Sequence, residues 1–407
     1  MNRNCLLFAI VAVSAPSLRA QFSSGSTGAD GALNLTPPFS GCSAAPCIVN
    51  FTVPFSPNGT AINGTNENVY NFTTISIASG VTLVMTAPSV RNRSVIWLAT
   101  GSVTIAGSIV LDGQAGIAMG SNPGLTRAPA TPGPGGFPGG MGGYLTDGPQ
   151  PGGGYGGGGP AVYSYPGGNG VYSFYNSQLT PLIGGTGGGG GMPGLAGGNG
   201  GAGGGAIRIV SSTSVSITGS ISAQGGHFGY PVPSNTNGNG DNGGYGSGGA
   251  IHLIAPTITG NGNLYICGGG NNGVVQFNST TNSFTGALNG CGTPPFYSYG
   301  LYNPPLPTGT PFVRITGVDG VAAPQFPTGS FSVPDVTINA SSSVTVSIAA
   351  QNIALGTIVT LTVTSESAPD ATFSCAPLSG TLQTSTATCS SVNFPSGVGI
   401  TEVKASW

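Results

Sequence analysis

Any chemistry done by this 407-residue chain has few ionisable groups to work with: ten acidic side chains, eight basic ones, and the two histidines His227 and His252. Enzymes that cleave polysaccharides on stacked β-strands use clustered carboxylates, as calcium ligands or as an acid and a base flanking the scissile bond. Asp112 ends a strand-like run, but when similar segments of the chain are aligned its counterparts are Gln224 and Cys267, so no acidic ladder forms. It reads more simply as a turn residue before Gly113. Asp241, in Asn239-Gly-Asp-Asn-Gly243, suggests a calcium loop with only one carboxylate, and the Gly-Gly-x-Gly-x-Asp repeat of calcium-binding rolls is absent. His227 opens a loop after Gly225-Gly226. His252 lies between Ile251 and Leu253, so alternation turns it to solvent if those two are buried. No Gly-x-Ser-x-Gly stands between a strand and a helix, and the many Gly-x-Gly-x-x-Gly matches lack a following helix or lysine. The sequence assigns no catalytic, metal-binding or cofactor-binding residue and points to a non-enzymatic protein.

Aromatic side chains are the suggestive feature. Phe137, Tyr144, Tyr155, Tyr163, Tyr165, Tyr172, Phe174 and Tyr175 fall within one glycine-rich stretch. On an uncharged backbone such rings could stack on sugars or on one another, or pin the stretch against the rest of the protein. Extracellular polysaccharide and cell-surface components are the expected partners. Nucleic acid is excluded, because its binding needs many cationic groups, and here Lys404 is the only lysine and the formal charge is −2.

Residues 1–20 read as a secretory signal: Arg3 supplies the positive start, Cys5–Ala15 the apolar stretch, and Ala20 a small residue before a cut at Gln21. That stretch is shorter than the ~20 residues a bilayer needs, so no transmembrane segment is expected in the mature chain. The expected location is secreted, extracellular or cell-surface. Six cysteines remain after the signal: Cys42, Cys47, Cys267, Cys291, Cys375 and Cys389. An even count in an exported chain favours disulfides. Of about 15 possible pairings, the sequential one is simplest because each pair is local.

The elements that would position these residues recur along the chain. Val95–Gly113, Ala206–Gly225 and Ala250–Gly268 share an Ile-x-Leu/Ile step, a Ser/Thr-Ile/Val step, a glycine and a second short strand. Tyr70–Met85 is a looser copy. Apolar residues alternate within each, as in Ile75, Ile77, Val81, Leu83 and Met85, which predicts strands with one buried face. Units of about 20 residues with this pattern predict an all-β right-handed parallel β-helix, a solenoid, over residues 21–330. Leu33 and Phe312–Ile315 are expected as flanking strands, and an antiparallel sandwich of the same strands is the rival arrangement. The uneven spacing of the copies leaves two long glycine-rich loops, 113–205 and 225–249, expected on a common side with weakly ordered backbone. From Phe331 to Trp407, alternating runs separated by turn residues predict a small immunoglobulin-like or fibronectin-like β-sandwich. There Cys375 and Cys389 would bridge neighbouring strands, and Trp407 would be a core or edge residue.

The pattern Gly205-Ala-Ile-Arg-Ile209 and Gly249-Ala-Ile-His-Leu253 resembles glycine-rich secreted β-helix proteins of environmental bacteria, over roughly Leu33–Ile315. The resemblance implies an adhesin-like protein and brings in no catalytic residues. The functional expectation is a secreted or cell-surface structural, adhesive protein, with a polysaccharide-binding or polysaccharide-cleaving protein as the alternative. Triplets such as Asn50-Phe-Thr52 and Asn71-Phe-Thr73 would be glycosylated in a eukaryotic secretory path.

Overall fold

A computed structural model describes residues 22–118, 129–143, 149, 152–153, 157–159, 167–172, 178–192, 197–231, 242–269, 271–292, 295–306, 311–324, 334–339, 343–365, 371–394 and 401–407. Its strands, in chain order, are β1 (Gly31–Leu35), β2 (Cys47–Asn50), β3 (Val69–Ile77), β4 (Val81–Val84), β5 (Val95–Ala99), β6 (Val103–Ile105), β7 (Ser108–Val110), β8 (Ala206–Ser211), β9 (Ser214–Ile217), β10 (Ser220–Ser222), β11 (Ala250–Gly260), β12 (Asn263–Tyr265), β13 (Val274–Phe284), β14 (Ala287–Asn289), β15 (Phe296–Tyr299), β16 (Phe312–Val318), β17 (Val321–Ala322), β18 (Ser343–Gln351), β19 (Ile358–Ser365), β20 (Ala371–Pro377), β21 (Ser379–Thr381), β22 (Thr384–Asn393) and β23 (Thr401–Ser406).

The similar segments pair in parallel; the second and third keep the aligned register, whereas the first strand of Val95–Gly113 is displaced by one residue, so that Val95 and Trp97, rather than Ile96 and Leu98, share a face with Ile207 and Ile209. Val95 lies opposite Ile207, which lies opposite Ile251, and Trp97, Ile209 and Leu253 follow two residues on. A second parallel sheet, ordered β14-β12-β10-β7-β4-β2, stacks Leu83, Ile109, Ile221, Leu264 and Leu288. Both ladders feed one apolar core in which Trp97, Ile207, Leu253 and Ile221 are fully buried. Period two in the sequence places these residues on one face, and burying each contributes roughly 1.5–3 kcal/mol.

The expected right-handed parallel β-helix is not what these strands build. The path β11-β8-β5-β3-β6-β9 closes through β9–β11 pairing into a six-strand parallel barrel, extended on β11 by β13 and β15 and on β3 by β1. The second parallel sheet is separate from it, and antiparallel sheets complete the protein. Strand length is the reason. β3 pairs with β5 through Val69–Phe72 and with β6 through Ile75–Ile77, while β11 pairs with β8 through Ala250–Ile254 and with β9 through Thr257–Thr259. Two long strands, each serving two shorter partners, join what would otherwise be separate sheets.

Phe312–Ile315, expected beside the parallel strands, pairs antiparallel with β18 instead. It belongs to a five-stranded sheet, β17-β16-β18-β22-β21, which shares a second apolar core with the three-stranded sheet β20-β19-β23. Cys375 on β20 and Cys389 on β22 therefore join two sheets rather than neighbouring strands. The other disulfides are Cys42–Cys47 and Cys267–Cys291. Trp407 follows the edge strand β23 and is exposed.

The glycine-rich stretches depart most from expectation. Where described, they are packed, with Gly184–Gly191 and Gly197–Gly205 buried throughout. Their contacts repeat every third residue. Gly184, Gly187 and Gly190 face residues 136–142, while Gly185 and Gly188 face residues 244–248. Gly197, Gly200 and Gly203 face residues 185–192, and Gly198, Gly201 and Gly204 face residues 223–230. A three-residue period is that of the polyproline II helix, which makes no internal hydrogen bonds. Here the backbone groups bond sideways: Gly140 N–H donates to Gly188 O (2.8 Å), Gly188 to Gly201 (2.9 Å), Gly201 to Gly244 (2.9 Å) and Gly244 to Gly189 (2.7 Å). Both stretches thus interlock in one bundle in which many of the buried amides bond to neighbouring segments. An added Cβ at most of these glycines would meet a neighbouring carbonyl inside van der Waals contact. The glycine content expected to loosen the chain is what lets the extended helices touch.

Candidate binding surface

Two side-chain groupings stand out, one buried and one exposed. The buried one grows from the barrel's outward-facing register: Arg208 lies opposite His252, His252 opposite Gln276, and Asn278 two residues beyond. Arg208 Nε donates to His252 Nδ1 (3.2 Å), which leaves the His252 Nε2 proton for Asn278 Oδ1 (2.8 Å). Asn278 Nδ2 donates to Gly300 O (3.1 Å), and Arg208 Nη2 to Leu179 O (2.7 Å). His252 is thus fully buried rather than turned to solvent. Alternation does turn it to the face opposite Ile251 and Leu253, but that face is also covered: Leu182, Leu301 and Leu306 pack over Ile96, Leu98, Val210 and Ile254. Burial, helped by the nearby Arg208 charge and opposed by the Asn278 hydrogen bond, pulls the His252 pKa down to about 3. Burial also lowers Arg208 to about 10. A neutral imidazole sealed beneath the chain can fasten its cover to the sheet but cannot reach a solute.

Asp112 is also a structural residue. Its Oδ1 accepts from Ser222 Oγ (2.5 Å) and Gln224 N (2.7 Å), one strand along the second sheet. Burial raises its pKa, against the pull of those hydrogen bonds. Asp241 lies outside the described residues, as do Tyr144, Tyr155, Tyr163, Tyr165, Phe174 and Tyr175. Of the ring residues singled out in the sequence, Phe137 is half-buried in the glycine bundle. Tyr172 packs beside Leu179 and donates its hydroxyl to Ile183 O (2.9 Å). Both pin the stretch in place. Among the described residues no three His, Cys, Asp or Glu side chains gather as metal ligands.

The exposed grouping sits on the rim of the glycine bundle. His227 and Tyr230, three residues apart, fall on one ridge of a three-residue helix, with Phe228 between them. Tyr245 comes from the neighbouring segment and lies against Gly269, whose φ of 53° and missing Cβ leave room for the ring. Ring centroids are 4.7 Å apart for His227 and Tyr245, 4.8 Å for Phe228 and Tyr245, and 5.1 Å for Phe228 and Tyr230, all three edge to face. His227 Nδ1 donates to Phe228 O (2.7 Å), so Nε2 accepts the Tyr245 hydroxyl proton (3.2 Å). Tyr230 is 57% exposed. The arrangement offers ring faces and polar edges to solvent on a backbone fixed by lateral hydrogen bonds. Sequence reading noticed the rings of the first glycine-rich stretch and His227, but not Phe228, Tyr230 and Tyr245. The usable signal was the three-residue spacing in His227-Phe-Gly-Tyr230.

The chain matches no protein-family model, no curated protein and no solved structure. Three disulfides tie it, and no described helix is long and apolar enough to cross a membrane.

Proposed function

We propose that this is a secreted or cell-surface structural protein that adheres by binding uncharged extracellular polysaccharide, without catalysing a reaction. The observation that carries the reading is the ring cluster on the packed glycine bundle, with His227 and Tyr230 exposed and Phe228 and Tyr245 half-buried beneath them. Aromatic faces bury the apolar faces of sugar rings, and hydroxyl and imidazole edges bond their hydroxyl groups. Prior fixing of the backbone lowers the ordering cost of binding. The low charge of the chain favours a neutral partner, because little long-range attraction is available for a charged one. Three disulfides suit an oxidising location outside the cell.

The test is binding of the protein to neutral polysaccharides on an array, followed by affinity measurement at low and high salt. Binding should be insensitive to salt and should weaken roughly fivefold, about 1 kcal/mol, in Tyr230→Ala. Failure of the parent protein to bind any glycan, or equal binding by Tyr230→Ala, would overturn the reading.

A further inference from the structure

Asn-x-Ser/Thr triplets are distributed unevenly. Between residues 21 and 110, six of eight asparagines begin such a triplet: Asn34, Asn50, Asn58, Asn63, Asn71 and Asn92. Beyond residue 110 only Asn278 and Asn339 do, out of nineteen. Serine and threonine are common throughout the chain, so composition does not account for the contrast. Exposure follows the same division except at Asn339, which is also exposed. Asn34, Asn50, Asn58, Asn63 and Asn92 are exposed and Asn71 is half-exposed, whereas Asn278 is buried in the Arg208–His252 network.

The topology gives the cluster a role. Among the described residues, Asn34 stands on β1, which pairs only with β3, and Asn50 ends β2, which pairs only with β4. These two strands are open edges of the two parallel systems, and they lie at the same end of the chain. Asn58 belongs to the segment over that end, with its Nδ2 donating to Asn34 O (3.1 Å). Open edges present unpaired N–H and C=O groups that template pairing with another chain, and proteins commonly cover them. Beside Asn50, Ile48 on the same edge strand is 73% exposed.

We propose that the amino-terminal asparagines, Asn34 and Asn50 foremost, are acceptors of N-linked glycans that cover these open sheet edges. The donor class is an oligosaccharide carried on a lipid pyrophosphate. The asparagine Nδ2 loses one proton and bonds to C1 of the first sugar, while the C1–oxygen bond to the pyrophosphate breaks and the lipid pyrophosphate leaves with the electron pair. One N–H remains on the modified nitrogen, so Asn58 can keep its hydrogen bond to Asn34 O. The serine or threonine two residues on completes the acceptor triplet, and all six hydroxyl residues here, Thr36, Thr52, Thr60, Thr65, Thr73 and Ser94, are exposed or half-exposed.

This inference rests on export of the chain, and the experiment separates the two. Protein recovered from outside the cells that make it is analysed by intact mass and peptide mapping, before and after peptide N-glycosidase in heavy-oxygen water, which marks each released asparagine as labelled aspartate. The expected result is a chain beginning at Gln21, with label at Asn34 and Asn50 and none at Asn278. Enzymatic removal of the glycans should then speed concentration-dependent self-association, read by light scattering. An unmodified chain beginning at Gln21 overturns the proposal and leaves export standing. No chain outside the cells, with an unmodified chain that retains Met1 inside them, overturns both. Glycans confined to Asn339, or unchanged self-association after their removal, overturn the covering of the edges.

Discussion

Replacing Gly184 by alanine tests the packed glycine bundle at one atom. A Cβ there would lie 2.6 Å from both Gly136 N and Gly204 O, against at least 3.4 Å for an ordinary contact. Relief requires the chains to separate by roughly 0.8 Å on two sides at once. The adjoining hydrogen bonds, Gly184 N–H to Gly135 O (2.8 Å) and Gly185 N–H to Gly204 O (2.7 Å), would stretch beyond the useful range of about 3.2 Å. Leaving those buried groups unsatisfied, or overpacking to keep them, costs on the order of 2–5 kcal/mol. The matched control is Gly159→Ala, where an added Cβ meets nothing within 4 Å. In a backbone that tolerates it, glycine to alanine stabilises by about 0.4–1 kcal/mol through the unfolded chain. Chemical denaturation monitored at two probes should therefore give opposite signs for the two variants. A neutral or stabilising Gly184→Ala would refute lateral packing of these segments.

Acidification should unlock the buried network. His252 is neutral in the fold with its pKa near 3 and ordinary when unfolded, so the unfolded chain binds the extra proton between those values. Its contribution is complete above about pH 6.5 and is lost as pH falls toward 3, at up to about 1.4 kcal/mol per pH unit; unfolding titrations from pH 7 to pH 3 should show that slope, and His252→Gln should flatten it. The Cys375–Cys389 bridge closes a loop with a sequence separation of 14, worth about 3 kcal/mol by chain entropy. The double variant Cys375→Ala/Cys389→Ala should lower the unfolding free energy of the antiparallel unit by that amount, and an unchanged value would mean the bridge adds nothing.

The strands were legible because period two survives in short runs. Ile75, Ile77, Val81, Leu83 and Met85 alternate in the sequence and are all buried in the structure. The kinship of Ile207 and Ile251 likewise foretold their parallel register. What local patterns do not encode is which partner a long strand takes along each half. β3 and β11 close the barrel for that reason, and the predicted uniform coils do not form. His252 was misplaced because alternation tells which side a residue faces, not whether that side is covered. Gly187–Gly191 is unbroken glycine, which erases the three-residue signal that a mixed sequence would have displayed. The same uniformity hid the ridge bearing His227 and Tyr230, so the candidate surface emerged from the structure.

Amide hydrogen exchange resolved to Gly184–Gly191 and Gly197–Gly205 addresses the bundle most directly. If these amides donate across to neighbouring helices, they should exchange through a large opening of the bundle, slower than a free chain by several orders of magnitude. Exchange at free-chain rates, with the β-strand amides still protected, would contradict the packed bundle and remove the fixed support beneath the aromatic surface.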